Sequence, residues 1–307
     1  MEKRIGISTC AMQWNFGNKA ALEMAARTGA QSVDFDLNVQ GVNYLTEGSV
    51  YAQGEDAIRE YFAEIKNYAT SLGLEIYQTH SKCDGFGTND ARNAELDELH
   101  RLDLLATSAL GAKVCIFHAP TNLPNWRAID RARMDALHDA QFLSIAKNAK
   151  KYGVLAATET FGTVGPAPVP TCEYYGGIKA FEAAYRRIAE SEWGDAFVVC
   201  VDSGHSNLAM RFGNPSPADI VRLFGDKVKA LHLHDNLQGF DEHCLPLNGF
   251  VDFFDLFRAL DEVGYDGVYN LEVNFNMFGP GFLEETATFA VRLLRRMLDH
   301  HEGKIKW

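Results

Sequence analysis

Long apolar runs are missing from this chain of 307 residues, and so is an excess of basic charge. No window approaches the ~18 uninterrupted apolar residues of a bilayer span, so no membrane-crossing helix and no membrane partner is expected. The opening MEKRIGIST carries no apolar signal core, and no leader peptide is expected either. Lys and Arg number 29 against 41 Asp and Glu, a formal charge of -12. Such an acidic surface repels polyphosphate backbones, so nucleic acid is not the expected partner. The six cysteines are scattered without a C-x-x-C pair, and Cys115 and Cys200 fall inside apolar runs that read as strands. This points to a reduced, cytoplasmic protein. There is no Gly-rich phosphate loop, no nucleophile elbow and no stripe of basic and aromatic residues.

What is present is alternation. IGIST (5–9), SVDFDL (32–37), LEIYQTH (74–80), AKVCIFH (112–118), VLAATE (154–159), FVVCVD (197–202), VKALHLHD (228–235) and GVYNLEV (267–273) read as eight strands. Helical segments fall between them, near 18–29, 55–71, 91–110, 130–152, 177–191, in turns up to 224, at 252–263 and at 282–300. The stretch after Glu159 is a Gly- and Pro-rich loop. At 47% hydrophobic and 23% charged residues the chain can fill a full core. With no composition shift or linker, one domain over residues 1–307 is expected. The pattern predicts an α/β fold, a (β/α)₈ TIM barrel, with a doubly wound open sheet as the alternative.

Four of the apolar runs end in a residue that can bind a metal: LAAT before Glu159, VVCV before Asp202, VKAL before His232 and VYNL before Glu272. Both faces of each run are apolar, as in buried parallel strands. The gaps between ligands match one strand plus one helix, so successive βα units supply one ligand each. Strand C-terminal ends carry the active site in a TIM barrel. Glu, Asp, His and Glu together suit one divalent cation, Mn²⁺, Zn²⁺, Co²⁺ or Fe²⁺. Any one of these carboxylates alone would read as a helix cap.

Other polar residues share this predicted rim. His205 lies three residues past Asp202, within reach of a bound hydroxyl or a second ion, although Ser203, Gly204 and Ser206 also fit a capping turn. His232 and His234 have the same strand parity; His232 sits in register with the other ligands, and His234 reads as its neighbour. Asp241 and His243 would hold another metal or orient the ligands, against the alternative of a solvated loop. His80 and His118 end the third and fourth strands and are candidates for the pocket. Trp14, Phe16, Phe86, Trp126, Phe161 and Tyr174 would give it an apolar wall, with Trp14 and Trp126 expected to touch substrate.

The motifs TETFG (158–162), VDSGHSNLA (201–209), LHLHDN (231–236), DEHCLPL (241–247) and LEVNF (271–275) resemble the sugar phosphate isomerase/epimerase superfamily, the xylose-isomerase-like TIM barrels. The resemblance runs in order along nearly the whole chain and is specific in its second half. It implies one divalent metal on Glu159, Asp202, His232 and Glu272, with the two glutamates doubling as acid and base. It also implies a substrate hydroxyl at His205. A small sugar or sugar derivative is the substrate so implied, isomerised or epimerised through an enediolate.

The same superfamily includes the zinc-dependent apurinic-site endonucleases of the endonuclease IV type, which hold three zinc ions. Their ligand types are matched by His80, His118, Glu159, Asp202, His205, His232, Asp241, His243 and Glu272. Ketohexose 3-epimerases usually carry Arg where Gln238 stands and Glu where Gly165 stands; the family's Leu-Gly-Glu-Gly is Leu247-Asn248-Gly249-Phe250 here. Inosose-dehydratase-like and C-glycoside-cleaving lyases share the barrel and metal, and a sugar-binding barrel without catalysis is the non-enzyme reading. A homo-oligomer is compatible with all of these.

Overall fold

The computed structural model describes residues 2–39, 42–121, 130–164 and 171–306. Eight parallel strands form one sheet: β1 (Ile5–Ser8), β2 (Ser32–Asp36), β3 (Glu75–His80), β4 (Val114–Phe117), β5 (Leu155–Glu159), β8 (Phe197–Asp202), β9 (Val228–His232) and β10 (Tyr269–Leu271). The spatial order is β10-β1-β2-β3-β4-β5-β8-β9. The ring closes where Leu233, just past β9, bridges in parallel to Leu271 of β10. The fold is a (β/α)₈ TIM barrel, as the alternation of strands and helices predicts.

Helices cover the outside: α1 (Cys10–Phe16), α2 (Asn18–Arg27), α3 (Glu55–Ser71), α4 (Asp90–Leu110), α5 (Arg131–Tyr152), α6 (Ile178–Ala189), α7 (Ser203–Met210), α8 (Pro217–Phe224), α9 (Phe253–Glu262) and α10 (Leu283–His301). Local chemistry sets several limits. Asn89 and Asp130 accept backbone N–H bonds at the starts of α4 and α5. Gly111 and Gly153 end those helices in the left-handed conformation. Two elements differ from the sequence expectation. Helix α1 follows β1 directly, and its C-cap Gly17, at φ 81°, separates it from α2. The Gly- and Pro-rich loop contains a short antiparallel pair, β6 (Thr163–Val164) with β7 (Thr171–Cys172).

Two apolar layers result. The larger lies between strands and helices; the smaller fills the barrel and includes Val114, Ile116, Ala157, Val198, Cys200, Ala230 and Val268. Strand alternation explains the second set, since Ala157 lies two residues before Glu159, Cys200 before Asp202 and Ala230 before His232. The inward row that packs the barrel floor ends in the polar residues at its mouth. Gly6 fits because a Cβ there would lie 2.7 Å from Val268 Cγ1. No described helix is long and apolar enough to cross a membrane.

Candidate metal centre and active site

The barrel gathers the four strand-end residues at one point. Asp202 and His232 are paired in register, and Glu159 pairs with Cys200 one strand over. Ligand atoms of Glu159, Asp202, His232 and Glu272 all lie within 4.8 Å of one another. His232 Nδ1 stands 3.0 Å from Glu159 Oε1, 3.2 Å from Glu272 Oε2 and 3.9 Å from an Asp202 carboxylate oxygen. Its other nitrogen, Nε2, is 2.9 Å from Oδ2 of the buried Asp34. The carboxylate fixes the ring so that Nδ1 faces the cluster, the usual outer support of a metal-binding histidine. Gln78 Nε2 donates to the same Asp34 oxygen at 2.9 Å.

Asp202 serves two roles at once. Its carboxylate accepts from the His205 backbone N–H at 2.6 Å and so caps α7. His234 Nε2 lies 3.0 Å from the same carboxylate, and the His234 ring stacks on His243 with centroids 3.9 Å apart. Gly204 makes room for this, because a Cβ at that position would come within 2.0 Å of the His234 ring. His205 Nε2 and His243 Nε2 both approach Asp241 Oδ2, at 3.2 and 3.0 Å. His205, His234, Asp241 and His243 thus form a second group with ligand spacing. On the opposite flank, His80 Nε2 and His118 Nε2 lie 3.5 and 3.1 Å from Glu159 Oε2.

These contacts interlock charge. Burial alone would raise the Glu159 carboxyl, but His232 and His118 hold it well below the usual carboxylate range. Burial likewise opposes Asp202, and His205 and His234 outweigh it in the downward direction. Burial opposes charge on His232, yet Cys200, Glu272, Glu159 and Asp34 around it push it well above the ordinary imidazole value. Against burial, the hydrogen bond to Asp241 moves His243 up to about 9. The cluster therefore holds protons among buried carboxylates, the arrangement a divalent cation replaces when it binds. The donor set of three carboxylates and one imidazole, with His232 braced from behind, fits such an ion.

A cavity of about 170 Å³ opens onto the cluster, lined by Ser8, Cys10, Asp36, Asn38, His80, Cys83, His118, Glu159, His205, Asp241, His243 and Glu272. No Lys or Arg is among these described lining residues. Phe161 forms part of the surround, packing on His118 and His205 with centroids 5.2 and 5.9 Å apart. Trp14 is 49% exposed beside the mouth, and its Nε1–H donates to Asp36 at 3.3 Å. Trp126 and Gly165 lie outside the described residues.

Two aromatics expected at the mouth are placed elsewhere. Phe86 is buried against His100, and the Tyr174 hydroxyl turns to Asp135 of α5. Gln238, standing where ketohexose epimerases carry Arg, donates to the Asn207 carbonyl and side-chain oxygens at 3.1 and 3.0 Å. Asp34, Asp36, Cys10 and Cys83 were not among the sequence candidates. Asp34 and Asp36 alternate in β2 inside an apolar run, which was the available signal.

The family model of the xylose isomerase-like TIM barrel matches residues 22–296. An uncharacterised protein of Sinorhizobium fredii, y4fM, is 26% identical over 182 residues, 58% of this chain and 52% of that protein. The chain thus aligns with about half the length of that relative. The 3-keto-D-glucoside 4-epimerase YcjR from E. coli superposes with a TM-score of 0.72 at 13% identity, covering 96% of this chain and 100% of that one. The IOLI protein with a bound zinc atom superposes at 0.68 and 15% identity, covering 99% and 100%. At these identities the likeness to solved structures is one of fold.

Proposed function

Because the chain belongs to the xylose isomerase-like TIM barrel family, we propose that it is a divalent-metal-dependent isomerase or epimerase of a sugar or sugar derivative. One observation carries the reading: Glu159, Asp202, His232 and Glu272 converge within 4.8 Å, and Glu159 and Glu272 line the adjoining cavity. A cation held there would supply Lewis-acid polarisation of a substrate carbonyl. The epimerase activity named for a structure of the same fold supports a keto-sugar substrate.

The residues divide the proton work. Both glutamates line the cavity, and Glu272, with a side chain 20% exposed against 1% for Glu159, is the more open of the two. It takes the proton from the carbon beside the carbonyl, giving an enediolate. Strands β5 and β10 are not neighbours in the ring, so Glu159 approaches from another side. Glu159 is held charged by its imidazoles and returns a proton supplied through His118 or His205, which touch it. His205, fixed by the Thr160 carbonyl at 3.1 Å and by Asp241, meets a substrate hydroxyl. Delivery of the proton to the former carbonyl carbon gives isomerisation, and its return to the original carbon from the other face gives epimerisation. Loss of a β-hydroxyl or of a C-glycosidic bond would make the enzyme a lyase.

The test is solvent exchange. Protein loaded with Mn²⁺ or Co²⁺ is incubated in deuterated water with keto-sugars, inososes and sugar phosphates. Deuterium is expected at the carbon beside the carbonyl of a true substrate. Glu272→Gln should lower that exchange by ~10²-fold or more. A metal-loaded Glu272→Gln that exchanges normally removes Glu272 from the mechanism.

The group of His205, Asp241 and His243 favours a second reading, a multi-metal apurinic-site endonuclease. The charge of -12 opposes it. Efficient incision of an abasic duplex, with metal content near three ions per chain, would establish it over the sugar reading.

A further inference from the structure

We propose that Asp36 determines the specificity of the cavity: its carboxylate accepts a substrate hydroxyl on the side away from Glu159 and Glu272, and so selects an uncharged sugar over the phosphate ester of that sugar. This role rests on the isomerase or epimerase reading and narrows its substrate class.

Position comes first. Glu159, Asp202, His232 and Glu272 stand at the ends of β5, β8, β9 and β10, which are consecutive in the closed ring. Strand β2 lies across the ring from β8, and Asp36 is its last residue. Asp36 lines the same cavity as Glu159 and Glu272. A substrate whose reacting carbons lie against the two glutamates therefore extends its remaining carbons toward Asp36.

The residue is fixed in advance. Gln13 Oε1 accepts the Asp36 N–H at 3.0 Å, and Gln13 Nε2 donates to the Asp36 carbonyl at 3.1 Å. Asp36 Oδ1 accepts the Asn38 N–H at 2.7 Å, and Oδ2 accepts the Trp14 Nε1–H at 3.3 Å. The Cys10 thiol, raised by burial and by the adjacent Asp36 charge, keeps its proton toward the same carboxylate. A carboxylate accepts about four hydrogen bonds, so a place remains for a ligand donor. A rigid, pre-set acceptor of this kind loses little freedom when it binds.

Charge separates Asp36 from the other carboxylates of the cavity. Glu159 is paired with His118 and His232, Asp241 with His205 and His243, and Glu272 with His232. Asp36 is 3% exposed, and its hydrogen-bond donors among the described residues are neutral. Burial pushes its carboxyl up, while the His80 charge, the Asn38 amide and the Cys10 thiol act the other way. A buried carboxylate held by neutral donors gains from one more hydroxyl and repels a phosphate.

The experiment uses full-length, Mn²⁺-loaded protein in deuterated water with D-fructose, D-tagatose and D-psicose, and with their 6-phosphates. Deuterium at the carbon beside the carbonyl is followed by NMR. At least one neutral sugar should exchange, with kcat/KM ~10-fold or more above that of its ester. Asp36→Asn keeps the shape and removes the charge. It should raise KM for the neutral sugar by ~10-fold or more, leave kcat nearly unchanged and narrow the gap to the ester. Its metal content should equal that of the wild type. An ester exchanged as well as its parent sugar, or an unchanged KM and selectivity in Asp36→Asn, overturns the role and leaves the isomerase reading standing. A fall in kcat at constant KM also overturns it, because Asp36 would then act on the chemistry rather than on binding. Exchange with no sugar and no ester by the metal-loaded wild type counts against the isomerase reading itself, and the role falls with it.

Discussion

Asp34 shows what a residue contributes without touching substrate. Its carboxylate sits behind His232 at 2.9 Å and turns Nδ1 toward the other ligands. Asp34→Asn keeps the shape and removes the charge. It should weaken binding of a divalent ion at the proposed centre by ~10–100-fold while leaving the fold intact. Competition against a chelator, with circular dichroism as the control for folding, measures this; unchanged affinity would make Asp34 a packing residue. Gly204 gives a sharper case, since a Cβ there meets the His234 ring at 2.0 Å. Gly204→Ala should displace His234 from Asp202 and loosen the capped start of α7.

At this scale the sequence was informative where a polar residue ended an apolar run, since Glu159, Asp202, His232 and Glu272 lie together at the barrel mouth. It was silent on residues whose role comes from neighbours brought in by closure. Asp34 and His232 are 198 positions apart, and no local pattern links them.

Among elements, the loop from β3 to α4 carries an unusual load. Lys82 is 1% exposed and bonds Asp103 of α4 at 2.8 Å and the Leu37 carbonyl at 2.7 Å. The Tyr51 hydroxyl donates to the same Asp103 carboxylate at 2.7 Å. Asp103→Ala would strand a buried ammonium and should cost about 3–5 kcal/mol, read by urea denaturation. Since Lys82 directly precedes Cys83, such a variant should also disturb the cavity wall.

His100, on the same helix, lies between Phe86 and Phe117. Burial first, and then the Lys82 charge, lower its pKa to about 3. The unfolded chain, with an imidazole near ~6.5, binds a proton that the folded chain refuses. The contribution of His100 is therefore whole above ~6.5 and is lost as pH falls toward about 3. His100→Phe should flatten this acid limb by up to ~1.4 kcal/mol per pH unit, seen in denaturation curves at pH 7 and pH 5. Strands and long helices were legible because their apolar period is strong. Helix α1 was not, since its seven residues end at Gly17 before a period is established. The β6–β7 pair of two residues per strand is too short for any alternation to show.

For the whole molecule, the barrel was legible from the eightfold alternation, and the mouth from the shared strand-end position of its polar residues. The ring closes at Leu233 and Leu271, where the Leu233 N–H donates to Asn270 at 2.8 Å and the Glu272 N–H to Leu233 at 3.2 Å. His232 and Glu272 adjoin that seam, so an ion at the proposed centre would fasten the two sides. Metal at 100-fold its Kd should add ~2.7 kcal/mol, or several degrees in Tm. Chelation should speed amide hydrogen exchange at 228–235 and 269–273 before the rest of the sheet. Uniform exchange would mean that the seam holds without the ion.

That placement ties the ion to the order of synthesis. In the proposed centre, a nascent chain would present Glu159, Asp202 and His232 first and add the fourth residue only when Glu272 emerges, in the segment that also shuts the ring. Until then the three earlier ligands belong to an open sheet that nothing holds at the right spacing. Tight metal capture would then be a late event, a sign that the last strand has arrived. Chains stalled on the ribosome before that point should lose the ion to a mild chelator, and completed chains should keep it.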